Sequence, residues 1–71
     1  MELTSEELDA LQILVSEKYI FNVQELASNS LNLILFPGYE EYKKAEDLYN
    51  TNCNFYANIL IKLVNQKMKG D

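Results

Sequence analysis

YEEYKKAEDLYNTNCNFYANILIKLVNQKMK, running from Tyr39 to Lys69, contains neither Gly nor Pro, and Tyr42, Tyr49 and Tyr56 recur in it every seven residues with Leu63 in the next slot. Seven residues are close to two helical turns, so this spacing lines the four side chains along one helix. Placed at 100° steps, Ala45, Leu48, Tyr49, Cys53, Phe55, Tyr56, Ile59, Leu60, Leu63 and Val64 share a face about half the circumference wide. Lys43, Asp47, Asn50, Asn54, Asn58, Lys62, Asn65 and Lys69 occupy the other. The pattern predicts one helix from about 39 to 68, a rod roughly 45 Å long at ~1.5 Å per residue, packed lengthwise on its neighbours.

Upstream, Phe36-Pro37-Gly38 is the one strong break. Proline cannot continue a helix and glycine can supply the positive φ of a tight turn. Thr4-Ser5-Glu6-Glu7 has the spacing of a capping box, and Leu3 with Leu8 suits a hydrophobic staple, so a first helix is expected from about 5 to 27. Its main stripe reads Leu8, Leu11, Val15, Tyr19, Val23 and Leu26. A second set, Ala10, Leu14 and Phe21 with Ile13 and Ile20 beside it, lies on the opposite side. A helix apolar on two faces is normally buried between neighbours, and one partner helix cannot cover both. Ser28-Asn29-Ser30 is the weakest helical stretch, because such side chains compete for backbone hydrogen bonds, and it predicts an end or a kink. The connector 28–38 then holds Leu31 to Phe36, which reads either as a short helix at 31–36 or as a turn.

The expected fold class is therefore all-α: a single small domain over 1–71, a helical hairpin of two long helices with room for a short third. At 71 residues one core is marginal, so dimerisation into a four-helix arrangement is expected to cover the spare apolar faces. Tyr42, Tyr49, Asn52, Tyr56, Ile59 and Leu63 are the candidate core and oligomer residues. Asn52 falls where leucine would stabilise more, and reads either as a hydrogen-bonded core or rim group or as a register-setting pair across a dimer axis.

Charge and composition bound the function. Eleven acids against six lysines give a net charge of −5, with no His. Arg is also absent, so direct nucleic-acid binding is not expected. Without His or Arg, with no glycine-rich phosphate loop and only scattered carboxylates, neither catalysis nor a metal or cofactor site is expected. The single Cys53 allows no internal disulfide and suits a reducing compartment, and with no histidine to activate it, it reads as a small buried hydrophobe. No basic leader precedes Leu8, and Leu33 to Pro37 is too short to span a membrane, so a soluble cytoplasmic protein is expected, in a bacterial or phage-infected cell. Glu6, Glu7 and Asp9, and Glu40 and Glu41, open the two helices, while Lys62, Lys67 and Lys69 close the second, as the helix dipole favours. The functional reading of the same acids, with Glu17, Glu25, Glu46 and Asp47 added, is a recognition surface for a basic protein partner.

Thr4-Ser5-Glu6-Glu7, then Leu11, Ile13-Leu14-Val15, Tyr19 and Leu26, followed by Tyr42-Lys43-Lys44 and Leu48-Tyr49, resembles the small acidic helical antirepressor and inhibitor proteins of Firmicutes and their phages, the AbbA-like proteins. The chain departs from them at Leu31 to Phe36 and after Phe55. The resemblance implies a helical homodimer that blocks a nucleic-acid-binding protein by placing carboxylates where DNA would lie, a DNA mimic. By analogy, the Asn-rich, Arg-free composition suits an AT-rich phage genome, whose small acidic proteins include anti-CRISPR inhibitors. Two functions are therefore expected: an inhibitor acting through its acidic helical surface, or an assembly subunit using its long apolar helix for obligate oligomerisation.

Overall fold

A computed structural model describes residues 3–69 as two antiparallel helices, α1 (Ser5–Leu35) and α2 (Glu40–Lys69), in a rod of 51 × 16 × 14 Å. The all-α hairpin follows from the periodicity, and no strand occurs among the described residues. α1 starts where the capping box places it. The Thr4 Oγ1 accepts from the Glu7 backbone N–H at 3.1 Å, while the Thr4 N–H donates to Glu7 Oε1 at 2.9 Å. These bonds satisfy two groups that a bare helix start leaves without partners.

Two expectations about the connector need correction. α1 does not stop near Ala27; it continues as a single helix through Ser28-Asn29-Ser30 to Leu35, so 31–36 forms no separate third helix. The reason is that Asn29 and Ser30 spend their polar groups on α2 instead of on their own backbone: Asn29 Nδ2 donates to the Tyr42 carbonyl and to Glu46, and Ser30 Oγ donates to Glu46. Nor does the turn need the positive φ that glycine offers. No residue in the described chain has positive φ, and a Cβ on Gly38 would meet nothing within 4 Å. Pro37 stops the helix, and the turn is closed by the Tyr39 N–H donating to the Phe36 carbonyl at 3.3 Å. Phe36, Tyr39 and Tyr42 then pack as a triangle of rings with centroids 5.6 to 6.4 Å apart, which caps the loop end.

The contact seam on α1 also differs from the expected stripe. Leu8, Asn22 and Asn29 are buried and Val15 is half-buried, all on one seven-residue line; Gln12, Tyr19, Leu26 and Leu33, half-buried, form the companion line. Leu11 and Val23 lie outside it and are exposed. On α2 the seam holds Tyr42, Tyr49, Tyr56 and the buried Leu63, with Asn52 and Ile59 half-buried and Cys53 buried beside them. Alternating steps of three and four keep both seams facing each other along the whole hairpin, the geometry of lengthwise helix packing.

This core is thin. Its buried apolar members among the described residues are Leu8, Cys53 and Leu63, and no large side chain among them is completely enclosed. The accessible surface is 5660 Å². A compact monomer of this mass exposes about 4500 Å², so the elongated hairpin leaves more surface in water than a globule of its size.

Candidate functional site

The interior of the hairpin is organised by asparagines. Asn22, the most buried residue of the group, donates from Nδ2 to the Lys18 carbonyl at 2.7 Å and accepts from Asn52 Nδ2 at 3.1 Å. Asn29 donates to the Tyr42 carbonyl at 2.7 Å and to Glu46 Oε2 at 3.2 Å, and the other Glu46 oxygen accepts from Ser30 at 2.7 Å. No buried side-chain nitrogen or oxygen among the described residues lacks a partner. Asn52 is thus a hydrogen-bonded seam group whose partner is on the same chain. The register it favours is that of α1 against α2, since sliding the helices by one turn would break the Asn52 to Asn22 bond and leave Asn22 only its bond to Lys18. Asn22, Asn29 and Ser30 were not among the expected functional or core residues. Their signal is nevertheless in the sequence, because 22 and 29 continue the seven-residue line of Leu8 and Val15.

The structure brings the six expected core residues together along one seam, but it does not gather the nine acids on one surface. Glu6, Glu7 and Asp9 stand at the open end of the rod, Glu40, Glu41, Glu46 and Asp47 at the loop end, and Glu17 and Glu25 between them. Several are engaged within the chain. Glu7 completes the cap, and its hydrogen bonds from the Thr4 backbone and side chain hold its carboxyl below the usual 4.5. Asp9 pairs with Lys67 across the open end, which places the first acidic cluster beside the lysines that close α2. Glu40 lies 4.0 Å from Lys43, and Glu46 holds Asn29 and Ser30. Glu6, Glu17, Glu41 and Asp47 are exposed.

An open groove of 520 Å³ runs along α1, lined by Asp9, Gln12, Ile13, Ser16, Glu17, Ile20 and Lys67. Its one lysine is paired with Asp9, and the lining holds no histidine to activate Ser16. Among the described residues no cluster of potential metal ligands occurs, and no helix is long and apolar enough to cross a membrane.

The outer surface of α1 is apolar. Ile13, Leu14, Ile20, Phe21, Ile34 and Leu35 are each 54 to 75% exposed, and they recur as adjacent pairs in the seven-residue rhythm of α1, on its side away from α2. Leu48, Phe55, Ile61 and Met68 add exposed apolar area on α2. Monomeric proteins rarely leave a contiguous patch of this extent in water. Compared with protein-family models, with curated proteins and with solved structures, the chain finds no match in any of the three.

Proposed function

We propose that this chain is a non-enzymatic protein-binding module of the assembly class, a hairpin whose fold is completed only within an obligate complex. The observation that supports it is the outer face of α1, where Ile13, Leu14, Ile20, Phe21, Ile34 and Leu35 stand in water at 54 to 75% exposure while the inner seam carries asparagines. An ordinary amphipathic helix does the reverse. Serine substitutions test it. If the face is covered, Ile13→Ser, Ile20→Ser and Phe21→Ser together remove roughly 3 kcal/mol of apolar burial, lower the melting temperature by more than 10 °C and release the partner. A triple variant with the parent's melting temperature, hydrodynamic size and captured partners would show that the face is bare.

A second reading keeps the acidic surface as the working part, an inhibitor or antirepressor that occupies the basic site of a nucleic-acid-binding protein. The exposed, intramolecularly unengaged Glu6, Glu17, Glu41 and Asp47, and the net charge of −5, favour it. On this reading Glu17→Lys with Asp47→Lys abolishes binding and leaves helicity unchanged, and binding weakens with added salt. Binding indifferent to both would remove the acidic surface from consideration. Either role suits the reducing cytoplasm, where Cys53 remains a thiol.

A further inference from the structure

Four adjacent pairs on α1 follow one another at seven-residue intervals on its outer side: Ile13-Leu14, Ile20-Phe21, Ala27-Ser28 and Ile34-Leu35. Three are large, one is small, and all eight side chains are exposed. Their positions are symmetric about Gln24, which is itself exposed. We infer that this face is closed by a second copy of the same chain, with the two α1 helices antiparallel and Gln24 at the two-fold axis. The inference rests on the assembly reading above and deepens it by naming the occupant and its alignment.

Symmetry about Gln24 decides which side chains meet. Ile13-Leu14 of one copy falls opposite Ile34-Leu35 of the other, and Ile20-Phe21 falls opposite Ala27-Ser28. The bulkiest pair therefore lands on the smallest, the alternation of large and small that lets facing helices interdigitate. A parallel alignment would set Phe21 against Phe21 and leave Ala27-Ser28 facing itself as a gap. Charge points the same way. Glu17 is the one ionised residue between the two apolar lines, and the antiparallel alignment puts it opposite Leu31, ~21 Å along the axis from its copy at 1.5 Å per residue. The parallel alignment would bring the two Glu17 carboxylates together. A long side chain at such a rim keeps its charged end in water.

The area available is that of a small stable dimer. The six large side chains of the face are each 54 to 75% exposed. Covering them removes on the order of 100 Å² apiece, roughly 1200 Å² over both copies, at the lower edge of an ordinary stable interface.

The alignment is tested by disulfide mapping on the full chain, with Cys53→Ala removing the native thiol and Gln24→Cys, Glu17→Cys or Leu31→Cys placed singly on the outer face. Gln24 and Glu17 are exposed polar residues of the hairpin, and circular dichroism checks for each variant that the helices form before the linking yield is read. Sedimentation equilibrium should give twice the 8.2 kDa chain mass. Under mild oxidation Gln24→Cys should link to itself with a yield at least tenfold above that of Glu17→Cys, and Glu17→Cys should link to Leu31→Cys only when the two variants are mixed. Self-linked Glu17→Cys, or equal yields everywhere, overturns the antiparallel alignment and leaves the covered face standing. A mass of 8.2 kDa at 100 μM overturns the second copy as occupant, and the serine variants then decide separately whether another protein covers the face.

Discussion

Asn29 is the residue on which the continuity of α1 turns, and its replacement by alanine has a calculable cost. It is 7% exposed and gives one hydrogen bond to the Tyr42 carbonyl at 2.7 Å and one to the Glu46 carboxylate at 3.2 Å. A net hydrogen bond to a charged group contributes about 1.5–3 kcal/mol and a neutral one about 0.5–1.5. Two terms reduce the loss. Glu46 keeps its bond from Ser30, and the Tyr42 carbonyl lies inside α2 within reach of helix N–H groups. Alanine also has the better helix propensity, by about 0.5–0.7 kcal/mol. Asn29→Ala should therefore destabilise by about 1–2 kcal/mol and lower the melting temperature by roughly 5–15 °C.

The assay is urea and thermal unfolding followed by circular dichroism at one fixed protein concentration, since association would otherwise shift the midpoint by mass action. Asn54→Ala is the control, an exposed asparagine of α2 without an interhelix partner. It should change stability by less than about 0.5 kcal/mol, in the stabilising direction. In a Glu46→Ala background the Asn29→Ala cost should fall by about 1 kcal/mol, because the shared bond is already gone. An Asn29→Ala protein that melts at or above the parent refutes the view that interhelix bonding carries α1 through its weakest stretch. So does full additivity with Glu46→Ala.

Thr4→Ala should cost about 1 kcal/mol at pH 7 through loss of the cap. Because Glu7 is depressed below 4.5 in the folded chain, its contribution is complete above that pH and is lost as pH falls through the lower folded value, so Glu7→Ala, which removes the carboxylate that accepts from the Thr4 backbone N–H, should flatten the stability curve below about pH 4.5; parallel curves for parent and variant would contradict this. Leu63→Ala, in the buried seam, should cost at least about 2 kcal/mol, whereas Lys67→Ala, whose pair with Asp9 is about half exposed, should cost under about 1 kcal/mol and less still in high salt. Urea midpoints of the two variants check the order, and a Lys67→Ala effect as large as that of Leu63→Ala would reverse it. Gly38→Ala should be neutral or stabilising by up to about 1 kcal/mol, since the added Cβ meets open space at an ordinary φ; a clear loss of melting temperature would show that the turn needs glycine after all.

How far the sequence could be read depended on whether the signal was local. The start of α1 is written in Thr4 and Glu7, which bond to each other, and the break is written in Pro37, which no helix tolerates in its interior. The seam of α2 was legible for a related reason: tyrosines at seven-residue spacing have one sensible face. The end of α1 was not legible, because Ser28-Asn29-Ser30 is locally unfavourable and is rescued by Tyr42 and Glu46, residues that only the folded hairpin brings near. The α1 seam was misread at the same place. Hydrophobicity alone prefers Leu11 and Val23, yet the helix turns Asn22 and Asn29 inward, where each finds an acceptor or donor across the gap. Of the acidic residues, the expected hairpin already set those opening α1 and those opening α2 at opposite ends of the rod, whereas the engagement of Glu46 by Asn29 and Ser30 was not legible.

An inner seam of amides and an outer face of Ile, Leu and Phe divide two tasks that one hydrophobic core usually performs together. Asn22, Asn29 and Asn52 favour one register of α1 on α2, so they confer specificity at little net stability. The outer face of α1 offers apolar area that stabilises the chain only once it is covered. On the assembly reading folding and association are one equilibrium, and salt acts on it with a definite sign. Copies carrying −5 each repel, so added salt should strengthen self-association, while the same salt should weaken capture of a basic partner by the acidic residues. The two readings of this protein therefore predict opposite salt dependences. A melting temperature and a dimer fraction that both rise with salt identify the apolar face as the working surface, and a complex that dissolves on the same titration identifies the acidic one.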